Sequence, residues 1–559
     1  MNTIPSSIEL LEARIAPARI SGLPDSFILQ GGGGSEEGSA APLFDISANG
    51  KTATYIDFDG DTVALSVNVG RLKTKNFVLS SDPATGRVHV DLLDISAAKS
   101  GGRFYGADIT VSVLQTDDGS DGFGDLAAIN ARGIDLGSVT IEHGDLGQID
   151  AGDGDLATSA IIRLSASQMG FHGIAGQLAG QDTVSKIRGP VGSIDLGELK
   201  DAFIDVKGGI GSITLGNVDA SGATADFNGS IRAKGKIGSV TIGGNADGSI
   251  LGGVGKYSGT IWSRMKIGAI TVAGSITGGD GFDSGTVFAG SPDSDAFPLA
   301  AKIGPVTIGG SLVGGGGDYS GSLYADSGVK AVTITGSVIG GAGDSSGAIV
   351  SGRGFRNISI GGDLASGTGP NSGSIIAFNG DAPSIVIAGQ IVAGNFADSG
   401  IFINGSIGTL SFQSAPGGGG NASEIRALFD IDAINVFGDM TDVFIRAGAD
   451  ITGVSKEANA TIGTVFIHGN FTRGGIMAGG APGADGFTFT SDDVLVSPDS
   501  SPDFLSEIGS LTVAGTFTPM AVEAEHLGAI VIGGAPVFLA AGEHNDAFLI
   551  GAAVIQEIS

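Results

Sequence analysis

The 559-residue sequence has no cysteine, which excludes a disulfide scaffold and any thiolate metal site. It has only 17 prolines against 100 glycines, and the glycines follow no strict period of three, so collagen is excluded. It is poor in positive charge, with 29 Lys and Arg against 59 Asp and Glu. A net charge of −30 argues against a nucleic-acid binder, which needs clustered basic surface. Aromatics are scarce at 6%, with Trp262 the single tryptophan, leaving little for stacking on sugars. Long hydrophobic runs are absent too. The best candidate, 527–542, carries Gly533, Gly534 and Pro536 and is too short to span a bilayer as a helix; it reads as strands. The N-terminal twenty residues are broken by Glu9, Glu12 and Arg14, so they lack the apolar core of a standard secretory signal. At 41% apolar residues the chain is nonetheless too hydrophobic to be a disordered acidic tail.

What is present is repetition. An octet of pattern apolar, Gly, small, apolar, Thr/Ser, apolar, Gly, Gly reads IGSVTIGG at 237–244, IGAITVAG at 267–274 and IGPVTIGG at 303–310. Related copies start at 191, 210, 329, 355, 382, 407, 431, 462, 508 and 527. Six of the twelve gaps between starts fall between 24 and 27 residues, which defines a unit with insertions. A second signature recurs between octets: Ser258-Gly259, Ser284-Gly285, Ser320-Gly321, Ser346-Gly347 and Ser372-Gly373, each followed by a small and then an apolar residue. A third short apolar piece follows each octet, as in Ser311-Leu312-Val313.

Each unit therefore holds three short strands and three corners. Within the octet, Val306 and Ile308 flank Thr307, and a period of two sends the β-branched pair to one face and Thr to the other. Such strands cannot bury a core alone, but stacked coils can. The fold expected is all-β: a right-handed parallel β-helix, or β-solenoid, with three strands per coil of about 26 residues. Residues 1–42 hold an unusual N-terminus and a flexible Gly-rich linker. Residues 43–125 lack the octet and read as a small β cap, with a hairpin of 53–58 and 62–67 and a strand over 109–114. The solenoid is expected over 126–559, with an insertion at about 470–507.

The stretch Leu11-Glu12-Ala13-Arg14-Ile15-Ala16-Pro17-Ala18 resembles the N-terminal LEPR-type motif of large exported proteins in planctomycete-like and verrucomicrobial bacteria, with Ala13 where proline often stands. The segment from Ile134 to Asp153 is similar to the Gly-rich repeats those proteins carry. The resemblance implies export or display at the cell surface, and no activity.

Several segments imitate chemistry. Gly343-Asp344-Ser345-Ser346-Gly347 satisfies the nucleophile-elbow pattern, yet its place is taken by Gly317–Gly321 and Gly369–Gly373 in neighbouring units, so it reads as a corner. Gly278–Asp283 fits the start of a calcium-binding nonapeptide but stands alone, so it too reads as a corner. Asp57, Asp59 and Asp61 around Gly60 resemble a fragment of a Ca²⁺ loop; the closing Glu would fall at Asn68, and a plain turn is preferred. Asp117, Asp118, Asp121 and Asp125 read as a solvated acidic loop. The six histidines, at 89, 143, 172, 468, 526 and 544, have no metal-ligand spacing. No catalytic, cofactor or metal residue is assigned.

The function expected is a non-catalytic exported structural or adhesive protein, with cell-envelope polysaccharide or another surface protein as partner, no nucleic acid and no membrane span. The alternative is a polysaccharide lyase or glycoside hydrolase, which rests on fold analogy. If the protein is an adhesin, the 470–507 stretch is the expected contact. Phe487, Phe489 and Phe504 lie there among Asp485, Asp492, Asp493, Asp499 and Asp503; the competing reading is that these rings only pack the insertion onto the rod.

Overall fold

The structure is a computed structural model. It describes residues 43–558 apart from 83–84, 115–120, 172–183, 245–247, 292–300, 395–399, 418–421, 457–458, 483–487, 491–492, 496–505, 539–546 and 551–552. The N-terminal motif therefore lies outside the described residues.

The chain winds into a parallel β-solenoid. One coil consists of Ile267–Val272, Ile276–Thr277 and Val287–Ala289, and each strand pairs in parallel with its counterpart one coil away. We call the three sides the octet face, the short face and the third face. Register on the octet face holds through Leu164, Ile194, Ile213, Val240, Ile270, Val306, Val332, Ile358, Ile385, Leu410, Ile434, Val465, Leu511 and Ile530, each paired with the next. All are buried. A matching aliphatic ladder runs inside the third face from Ile204 through Ile261, Ile349 and Ile445 to Ile555. Thr307 is exposed between buried Val306 and Ile308, as alternation requires.

Corners are built by side chains as well as glycine. Ser258, Ser284, Ser320, Ser346 and Ser372 are all fully buried. Each hydroxyl accepts the N–H of the glycine five residues earlier, at 2.9–3.0 Å. The recurrent serine thus satisfies a backbone donor that the turn would otherwise bury unpaired. The residue before it adopts positive φ in each of these five coils: Tyr257, Asp283, Tyr319, Ser345 and Asn371 lie between 51° and 58°. The following glycine also has positive φ, which explains why Ser-Gly is the fixed part of the signature.

Both ends are closed by antiparallel pairing. At the N-terminus, Thr52–Ile56, Thr62–Val67 and Ile109–Leu114 form an antiparallel run, and Ile109–Leu114 then pairs in parallel with the first long rung, Leu136–Gly152. The expected hairpin and third cap strand are present. At the C-terminus, His526–Ile532 turns back on Ala535–Val537, and Ala547–Ile550 pairs antiparallel with Ala553–Glu557. These hairpins cover edges that would otherwise offer unpaired backbone. Among the described residues no helix is long and apolar enough to cross a membrane.

One boundary is corrected. Phe471–Thr472 and Gly475–Ala478, inside the stretch read as an insertion at 470–507, are rungs paired with Met440–Thr441 and Val443–Ala447. They belong to the short and third faces, and the Ser-Gly pair that marks the third face in other coils is absent ahead of Ile476, which hid the strand.

Candidate functional site

The cap brings its two acidic loops together. The hairpin turn places Asp57, Asp59 and Asp61 so that one carboxylate oxygen of each lies within 4.8 Å of the others. Asp57 and Asp61 are buried and Asp59 is half-buried. Asp57 Oδ1 accepts the N–H groups of Gly60 (3.1 Å) and Asp61 (2.7 Å), a tight turn bond. The second loop docks on the first: the Asp121 N–H donates to Asp59 Oδ2 at 2.8 Å, and the Gly122 N–H to Asp61 Oδ2 at 2.7 Å. Asp121 and Asp125 are thus part of one folded corner with the hairpin; Asp117 and Asp118 lie outside the described residues.

Charge follows geometry. Burial pushes Asp57 up to about 8, reinforced by the adjacent Asp59. Burial would also raise Asp59, but its hydrogen bonds to Asp57 and the Asp121 amide outweigh it and hold it low. The pair accordingly shares one proton near neutral pH. The underlying Tyr55 hydroxyl is driven up by burial and by Asp57 and Asp125. Three clustered carboxylates with amides already on them can hold a proton or a hard cation between them.

The other imitations resolve as architecture. Ser345 is buried at φ 51°, and its hydroxyl lies 2.9 Å from Asp344, at the corner position that Tyr319 and Asn371 fill in the flanking coils. Asp283, in the calcium-like segment, takes the same place; burial alone pushes its carboxyl up to about 8. Of the histidines, His89 bonds Asp91 at 2.9 Å, His526 stands 3.5 Å from Glu507, and His468 packs on Phe437 and Phe466. His172 and His544 lie outside the described residues, as do Phe487 and Phe504. Phe489 is buried against Phe444 and Met477, the packing role rather than an exposed contact.

The outward side of the third face was missed by sequence reasoning. Its middle positions stack in the order Arg232, Trp262, Phe288, Tyr324, Val350, Ile376, Phe402, Arg426, Arg446, Met477, Glu523 and Gln556. They point away from the core, yet most are buried. Trp262 stacks on Tyr257, donates its indole N–H to the Gly290 carbonyl at 2.8 Å, and lies under the Arg232 guanidinium. Val350, Ile376 and Phe402 form a separate small core with Ile451. Arg426 and Arg446 stack directly, share Glu424, and bond the Ile451 and Gly453 carbonyls, strapping the 448–456 loop to the rod. The signal available in sequence was the run of large residues at one phase of the repeat. Set against protein-family models, curated proteins and solved structures, the chain matches none of them.

Proposed function

We propose that this chain is a non-catalytic rod displayed outside the cell, serving a structural or adhesive role toward envelope polysaccharide or another surface protein. The observation that carries the reading is the coil stack itself: one octet-face ladder from Leu164 to Ile530, with the stack closed at both ends by antiparallel strands. That geometry yields a shape-persistent spacer whose corners present repeated surfaces. The likeness of 11–18 to an export motif supports the location. Fractionation of native cells tests it: recovery in the envelope or medium is expected, and recovery in the cytosol overturns it. Incubation with acidic polysaccharide tests the enzymatic alternative; shortened, unsaturated product would favour a lyase over a passive rod.

A further inference from the structure

The basic residues of this acidic protein gather on one corner of consecutive coils, where the sequence also carries Asp326 and, in the 290–305 connection, Asp293 and Asp295. Between residues 264 and 356 there are six basic residues, Arg264, Lys266, Lys302, Lys330, Arg353 and Arg356. All six fall on the corner that leads from the third face into the octet face or on the first two residues of the octet strand. Asp280, Asp318 and Asp344 sit on a different corner, ahead of the Ser-Gly signature, where the Asp344 N–H bonds Asp318 at 2.9 Å.

Five of the six cations line one surface groove of about 450 Å³, whose floor includes Phe355 and the backbone of Gly304, Gly328 and Gly354. Lys266, Lys302, Lys330, Arg353 and Arg356 are all exposed, and among the described residues none forms an ion pair. Asp326, which accepts the Ser291 N–H at 2.8 Å, and Asp381, which accepts the Ser406 N–H at 2.9 Å, lie on the same side, so the five cations outnumber the acids there without being free of them.

Register fixes the spacing. Ile237, Ile267, Ile303, Val329 and Phe355 pair in succession, so Lys236, Lys266 and Lys302 stand in one column and Lys330 and Arg356 continue it two residues further along. Successive coils rise about 4.8 Å. Positive charge therefore recurs once per coil along the rod axis over the four coils of the groove, with Lys236 one coil beyond it. A small anion would meet two of these groups; an extended polymer with one negative charge per unit would meet all of them. The step is close to the rise of one sugar in an extended polysaccharide. Beyond the groove the net charge of −30 opposes every polyanion, and polyphosphate and nucleic acid more strongly than a polysaccharide because their charge is denser.

We infer that this groove binds a linear acidic polysaccharide lengthwise. The inference deepens the adhesive reading by naming a ligand class and rests on that reading only for the place where the polymer is met. The test uses the purified full-length chain with polygalacturonate as probe, and neutral dextran and polyphosphate as comparisons. Polygalacturonate should bind, and binding should weaken as salt rises. The exposed triple change Lys266→Glu, Lys302→Glu and Lys330→Glu should weaken it at least about tenfold with the melting temperature unchanged. If charge reversal disturbs folding, the Gln versions at the same positions should show a smaller loss in the same direction. Lys256→Glu with Lys456→Glu, exposed elsewhere, should leave binding intact. Equal binding by dextran, unchanged binding by the folded triple variant, or tighter binding of polyphosphate each overturns the assignment. A cytosolic location would sink the surface role and leave this result standing; loss of binding with an envelope location would do the reverse.

Discussion

The outward line of the third face is built in two chemistries. From Trp262 to Phe402 it is aromatic and aliphatic; from Arg426 to Gln556 it is largely ionic and polar. Both halves are mostly buried, so exposure does not choose between them. The cover does. Over the first half, corner rings such as Tyr257 and Tyr319 lie on the line and need only apolar surface beneath them. Over the second, a loop brings bare carbonyls at Ile451 and Gly453, and arginine is the side chain that reaches such acceptors from a strand. An outward position in a solenoid is thus specified by what lies above it, and an inward one by the rung beside it.

The inner ladder sets the scale for both halves. Val306→Asp places a charge among aliphatic neighbours and should cost on the order of 5 kcal/mol, whereas exposed Thr307→Asp should cost well under about 1. Equal thermal destabilisation by the two would remove the distinction between inward and outward lines. Trp262→Ala should follow, at about 3 kcal/mol, through lost packing and an orphaned Gly290 carbonyl. Glu424→Gln leaves Arg426 and Arg446 stacked with their shared carboxylate gone and should cost about 3 kcal/mol. The two halves separate in how they respond to replacement: Trp262→Phe should recover most of the loss, while restoring shape alone at Glu424 should not. If Glu424→Gln proves neutral in urea unfolding, the ionic half is not held by charge.

A smaller effect divides the coils by pH. The folded Asp283 carboxyl sits near 8, above its ordinary 3.8, so the folded state holds more protons between those values. Stability should then fall as pH rises across that window and level off above it. Asp57 contributes in the same direction. Asp283→Asn should flatten part of the slope, since Asn371 already occupies the equivalent corner at φ 52°. A melting temperature of the variant that falls as steeply as the parent's between about pH 5 and 8 would contradict this. Smallest of all, Ser345→Ala should leave any activity of the chain unaltered and shift melting by less than about 1 kcal/mol equivalent, because Ser345 is one copy of a corner.

Local pattern made the coil readable. The Val306-Thr307-Ile308 alternation and the Ser-Gly pairs each act within a few residues, so the strands and corners they specify appear in sequence. The cap hairpin is equally local. The acidic corner is not: Asp59 and Asp121 meet only because Ile109–Leu114 folds back on the hairpin. Trp262 and Phe288 look like core residues, and nothing near them in sequence says they face outward. The cationic groove was obscured for a different reason. A net charge sums the whole molecule, while Lys236, Lys266 and Lys302 each precede an octet isoleucine and gather at one corner only when coils are stacked.

The direction of the backbone ladders has a mechanical consequence. In a stack of coils the inter-strand hydrogen bonds run along the long axis, so a pull on the two ends loads the rungs in series and opens them like a zipper instead of shearing them together. Each coil would yield on its own, the weakest first, and release on the order of 90 Å of chain from a unit of about 26 residues. A rod of this build, anchored at one end and holding a partner at the other, would answer a sudden tug by lengthening in steps and rewind when the load is gone.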